Sequence, residues 1–196
     1  MIASRILFSF LTLGVISAAA IPTAVTVEKR EDVSDILAVV STLQGSTGSI
    51  LPQIDALSTD DSATEDDASA LLSQLSAALG TASTSFTNLQ GKVNTNSGGS
   101  KQDVANAVAP VYNNIAVSLN NFKKHKPHFA PLFIKFGIDA ALNKILLGLD
   151  ILLAGVVKLV AVLLIDVGVI LNGLGFTLIF ATLGLGGLLG GILGIL

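Results

Sequence analysis

The 196-residue chain contains no cysteine and no tryptophan, and a single tyrosine. Without cysteine there can be no disulfide scaffold and no thiolate metal site. Charge is scarce as well. Charged residues make up 13% of the chain, about half the usual share near 25%. The net charge of −3 provides no basic field to displace phosphate counterions, so nucleic acid is not an expected partner. Catalytic constellations are missing too. The two histidines, His125 and His128, sit together around Pro127, and no G-x-S-x-G is present to make a nucleophile elbow. Pro127 spoils the helical spacing that would let that pair hold a metal. The carboxylates Asp60, Asp61, Glu65, Asp66 and Asp67 form a loop cluster whose ordinary work is to keep a surface hydrated. The chain therefore reads as non-enzymatic, with no metal and no cofactor.

What is present is aliphatic. Hydrophobic residues reach 51% with aromatics at only 5%, so the apolar content rests on Leu, Ile, Val, Ala and Gly. The N-terminus has the pattern of a secretory signal: Arg5, the apolar run "ILFSFLTLGVI", then "SAAA". Ala18 and Ala20 place the cut after Ala20. The run is shorter than the roughly 20 residues a membrane span needs. Ten residues on, Lys29–Arg30 is a dibasic pair in an extended, Pro-containing segment, the type of site cut by kexin-type proteases. Residues 1–20 are thus expected to be a signal peptide and 21–30 a propeptide. A chain beginning at Glu31 carries eight Lys against thirteen Asp and Glu, a net charge of −5.

The remainder has two halves of opposite character. Residues 31–122 form a hydrophilic, Ser/Thr-rich half with helical periodicity. Val33, Ile36, Leu37, Val40 and Leu43 repeat at three and four, followed by Ile50, Leu51, Ile54 and Leu57. After the charged break "STDDSATEDD", Leu72, Leu75, Leu79, Ala82, Phe86 and Leu89 make a 3-4-3-4-3 stripe, the signature of one buried helix face. The loop "NTNSGGS" precedes a third helix whose S-x-x-D start is Ser100 and Asp103, an acceptor and a negative charge at the positive helix end. Its stripe is Val104, Val108, Val111, Ile115, Leu119 (or Ser118) and Phe122, and Pro110 should kink or split it. "KKHKPHFAP", residues 123–131, is a basic linker.

Residues 132–196 carry only three Lys and three Asp. A single helix of that length would be about 100 Å long, so the segment must fold back. The spacing predicts helices near 132–147, 149–171 and 176–196, with the best turn at "LNGLG". Lys135, Asp139, Asn143 and Asp150 fall on one helix face, with Lys135–Asp139 as an i,i+4 pair. The expected fold is all-α: a small amphipathic helical bundle followed by a hydrophobic Leu/Gly-rich helical hairpin region. Hydropathy alone also allows spans at 151–171 and 176–196. Lys158 costs roughly 2.5–3.5 kcal/mol at a helix centre, a cost the surrounding aliphatics offset. Yet no Lys or Arg follows the last apolar run and no Trp or Tyr belt flanks it. A membrane hairpin with an extracellular helical head is therefore the runner-up reading.

Signal segment, dibasic site, Ser/Thr-rich acidic first half and Leu/Gly-rich second half together resemble a family of small secreted cell-wall proteins of mushroom-forming fungi. That family acts in aerial hyphae formation and attachment alongside hydrophobins; the absence of cysteine separates this chain from hydrophobins themselves. The stretches "DILAVVSTLQ" and "VYNNIAVSLNNFKKHKPHF" are also similar to parts of the fungal hydrophobic surface-binding protein A family. The resemblance implies a secreted, extracellular protein of the cell wall. Its expected partners are copies of itself, hydrophobic surfaces or the air–water interface, with cell-wall polysaccharide as a candidate. Neither family has a catalytic motif to carry over.

Overall fold

A computed structural model describes residues 31–186. Among these residues there are eight α-helices and one two-residue β-bridge: β1 (Glu31–Asp32), α1 (Val33–Thr59), α2 (Glu65–Leu89), β2 (Val93–Asn94), α3 (Lys101–His125), α4 (Pro131–Lys135), α5 (Ile138–Leu152), α6 (Val156–Leu163), α7 (Gly168–Leu174) and α8 (Thr177–Thr182). Two 3-10 turns, at Pro127–Phe129 and Ile165–Val167, complete the connections. The all-α expectation holds.

Each of the three long helices begins with a capping box, in which a side chain and a backbone N–H satisfy each other's partners. Asp32 pairs with Asp35, Thr64 with Asp67 and Ser100 with Asp103. In the third, Asp103 N–H donates to Ser100 Oγ at 3.2 Å and Ser100 N–H to Asp103 Oδ2 at 2.8 Å. The third box is the one that the S-x-x-D pattern predicts, and D-x-x-D at Asp32 and T-x-x-D at Thr64 carry the same signal. The apolar stripes behave as their spacing requires: Leu72, Leu75, Leu79, Ala82, Phe86 and Leu89 are all buried, as are Val104, Val108, Val111, Ile115, Leu119 and Phe122. Thr47 bridges the two apolar runs of α1. It is buried with its hydroxyl donating to Leu43 O at 3.0 Å, which keeps the stripe continuous.

Pro110 does not split α3, which runs unbroken through it. Pro110 and Asn106 both lie on the exposed side. The Asn106 carbonyl that loses its usual partner therefore faces water, where the missing bond costs least.

The helices alternate in direction. Val33 N–H donates to Ser97 O and Ser118 Oγ to Asp55 Oδ1 at 2.8 Å, so α1 and α3 run side by side in the same sense. Helix α2 returns between them in sequence and packs on α1. Helix α5 follows α2 in parallel, with Ser76 Oγ donating to Phe136 O at 2.9 Å near its start. Helices α6 and α7 climb back along α3. They are tied at one end by Lys101 Nζ to Ala154 O (2.8 Å) and at the other by Lys123 Nζ to Gly173 O (2.6 Å). Helix α8 then descends beside α5.

The compositional boundary at 123–131 is therefore not a packing boundary. One continuous core joins both halves, from Val33 and Leu75 through Tyr112 and Ile115 to Leu146 and Ile179. Tyr112 marks its centre: its hydroxyl donates to Leu142 O at 2.7 Å across α3 and α5. Full burial there pushes the phenol well above its ordinary titration range, because a phenolate could not be solvated.

The second half departs from the expected long helices. In place of 132–147 and 149–171 there are α4, α5, α6, a 3-10 turn and α7. The breaks fall at Gly137 (φ +62°) and Gly155 (φ +88°), left-handed positions that glycine takes without a Cβ penalty. The turn expected at "LNGLG" is present at Gly175 (φ +82°). Helix α8 ends at Thr182, well short of the expected 176–196, and residues 187–196 of that prediction lie outside the described residues.

Candidate interfacial surface

The polar side chains of the second half are used mainly inside the fold. The spacing makes Asp139 an i,i+4 partner of Lys135 on one helix face. Instead Gly137 interrupts the helix between them, and the Asp139 carboxylate accepts the backbone N–H groups of Leu178 (2.9 Å) and Ile179 (3.1 Å). A carboxylate at the positive end of α8 satisfies two donors that the helix itself cannot. Asn143, on the same face one turn later, accepts from Thr182 Oγ1 at 2.6 Å. The predicted polar stripe is thus the seam on which α8 docks. Asp150 closes the α5–α6 turn by accepting from Gly155 N–H at 2.9 Å. Lys135 lies 5.8 Å from the Phe136 ring centroid, in cation–π range.

With those groups turned inward, the outer side of α4–α8 keeps large apolar side chains. Ile134 is 83% exposed, Val162 69%, Ile151 68% and Val169 66%; Leu147, Leu163 and Leu178 are also exposed. Leu147 and Ile151 share one face of α5 at i,i+4 spacing. Exposed Lys144 and Lys158 flank these positions, giving the apolar side long side chains with charged tips. On α1–α3 the contrast is sharp: among their described large hydrophobics only Val117 is classed with the exposed group. Ser, Thr, Gln and Asp cover the rest. Their hydroxyls mostly return to the backbone one turn earlier, as Thr81 to Ala77 O and Thr84 to Gly80 O.

The acidic loop is a set of caps. Asp60 accepts from Ser62 N–H (2.9 Å) and Ser62 Oγ (2.7 Å), and the Ser62 hydroxyl bond, followed by its amide bond, holds the Asp60 carboxyl below its usual value. Hydrogen bonds from Thr64 do the same for Asp67, and from Ser100 for Asp103. Lys126 approaches Asp61 at 3.9 Å, folding the basic linker onto this loop. In the linker His125 Nδ1 meets Asn121 O at 2.9 Å and His128 packs on Phe129 at 4.0 Å. Phe129 in turn stacks on Phe122 at 6.0 Å. Among the described residues no group of three or more His, Cys, Asp or Glu side chains converges as metal ligands would.

Among the described residues no single helix is long and apolar enough to cross a membrane. Val156–Leu163 with Ile165–Leu174 meets the length and composition only as a pair bent by 63°. The processing residues Ala20, Lys29 and Arg30 lie outside the described residues, which begin at Glu31. The chain matches no family model and no curated protein.

Proposed function

We propose that this is a secreted, non-enzymatic amphiphile of the fungal cell wall or extracellular matrix. It works in aerial hyphae formation and attachment by adsorbing to hydrophobic surfaces and associating with itself. The carrying observation is the segregation of exposed large apolar side chains: all but Val117 lie on α4–α8, opposite helices coated with Ser, Thr and Asp. Covering apolar area gains about 25 cal/mol per Å², so this side has a standing drive toward an apolar phase or a second copy. The Ser/Thr-rich side would face water and wall polysaccharide. The resemblance to wall proteins of mushroom-forming fungi supports the same reading.

The test is adsorption. Mature protein applied to an air–water or Teflon interface should lower surface tension and resist rinsing, and an unchanged tension with no bound protein sinks the proposal. The apolar pair α6–α7 keeps one rival alive, a membrane-integrated hairpin. Recovery from medium or wall extracts without detergent supports the amphiphile, whereas a detergent-requiring membrane pellet supports the rival.

A further inference from the structure

Helix α3 carries residues that a helix needing only stability and solubility would avoid. Asn106, Asn113, Asn114, Asn120 and Asn121 are poor helix formers, because a short amide competes with the backbone for hydrogen bonds. At about 100° per residue all five fall within an arc of about 120°, with Pro110 and Val117 among them. None of these positions is buried, so packing does not call for them. Asn113, Asn114 and Val117 form one wall of a groove of about 300 Å³ whose other wall is Gly48, Pro52 and Asp55 of α1. Gly48 and Pro52 are again unfavourable inside a helix, and a Cβ on Gly48 would meet nothing within 4 Å. Local choices that oppose the fold without improving its packing are expected where a surface has another task.

Ser118 Oγ donates to Asp55 Oδ1 at 2.8 Å, which orients the carboxylate at the groove. The side-chain amides of Asn113 and Asn114 make no hydrogen bond among the described residues, so each offers N–H donors and a carbonyl acceptor. Helix α1 has no Lys or Arg, and α3 has none between Gln102 and Phe122. An anionic ligand would thus meet a carboxylate and no cation. A peptide is held through apolar anchors or a free strand edge, and the exposed apolar surfaces of the groove are only Pro52 and Val117. Fixed donors and acceptors beside two small apolar surfaces match a sugar, whose hydroxyls both donate and accept and whose ring C–H faces are apolar.

We infer that the α1–α3 groove binds an uncharged polysaccharide. One sugar ring sits between Asp55 and the Asn113–Asn114 pair, and its neighbours run along the amide stripe, which extends about 12 Å further to Asn121. The groove is at the small end of ligand sites, which span about 300–1,000 Å³, so affinity comes from repeated contacts along the sugar chain. This contact presupposes the proposed function, in which the Ser/Thr-rich side faces wall polysaccharide, and adds where the polymer is gripped.

The test titrates laminarihexaose and chitohexaose, uncharged oligomers without and with N-acetyl groups, into isotope-labelled secreted protein followed by NMR. An oligogalacturonate and a Gly-Ser peptide of similar length serve as comparisons. At least one neutral hexasaccharide should shift the side-chain amide signals of Asn113 and Asn114, and the anion and the peptide should not. Asn113→Ala with Asn114→Ala removes the amides, and Gly48→Gln fills the groove. Each variant should weaken binding about ten-fold or more without lowering the urea midpoint, because Ala and Gln are better helix formers. Both should adsorb to Teflon like wild type, since α4–α8 is unchanged. A wild type that adsorbs but shows no sugar-induced shift overturns this inference alone, whereas one that binds sugar but does not adsorb overturns the adsorption reading and upholds the groove. Shifts confined to other residues, undiminished binding in the variants, or equal shifts with the anion or the peptide also overturn it.

Discussion

At the scale of single residues, the described carboxylates act mainly on backbone N–H groups. Asp139 is the clearest case, holding two amides of α8 at once. Removing a cap of this kind costs about 1 kcal/mol. Asp139→Ala should therefore lower the urea midpoint, and because α8 is only six residues long, protease should cut near it first. An unchanged midpoint and cleavage pattern would show that α8 is held by packing alone. The other caps give a pH dependence whose sign is fixed by their hydrogen bonds. Asp60, Asp67 and Asp103 are all lowered from the ordinary value of 3.8. A depressed carboxylate contributes stability that is complete above its unfolded value and is lost as pH falls through the lower folded value. Stability should hold from neutral pH down to about pH 4 and then fall. Urea midpoints measured at neutral pH and well below 3.8 check this, and equal midpoints would deny the caps their role.

At the scale of elements, the long helices are not optimised for propensity. Gly45 and Gly48 in α1 and Gly80 in α2 sit inside helices on the exposed side, and a Cβ added at any of them meets nothing within 4 Å. Each Gly→Ala change should stabilise the protein by about 0.5–1 kcal/mol, read as a stepwise rise in Tm. Gly98 is the opposite case. It holds φ +79° and a Cβ there would run into the Asp32 carboxylate, so Gly98→Ala should destabilise by at least about 1–2 kcal/mol and loosen the β1–β2 pairing. The same contrast explains what could be read from sequence. In α1–α3 polar residues interrupt the apolar ones, so the period shows the buried face directly. In residues 132–186 nearly everything is apolar, and the period loses its contrast. Glycine then marks a break at Gly137 and Gly155 but close packing at Gly148, whose absent Cβ would lie 3.4 Å from Phe86. Only the neighbouring helix distinguishes these cases. For the same reason the Lys135–Asp139–Asn143 face was legible as polar but not as the seat of α8.

At the scale of the whole molecule, the two halves are one body whose sides differ in coating. The sequence suggested a soluble head and an apolar tail. The structure shows the tail's aliphatics contributing half of a shared core, with Leu146, Leu149 and Ile179 fully buried. What remains for an interface is the outer layer of α4–α8, and that layer can be changed without touching the core. Ile151→Gln, Val162→Gln and Val169→Gln replace side chains that are each about two-thirds exposed with a residue of compatible helix propensity. Surface changes of this sort usually stay within about 0.5 kcal/mol. The triple variant should therefore keep its unfolding free energy, read from urea melts, to within about 1.5 kcal/mol in total while losing much of its adsorption to Teflon. Ser41→Gln with Ser73→Gln, on the exposed polar side of α1 and α2, serves as the control and should adsorb like wild type. If the triple variant adsorbs as well as the control, the native outer layer is not the contact. Adsorption would then require the body to open and present its core, and it should slow as the helices are stabilised by the Gly→Ala changes at positions 45, 48 and 80.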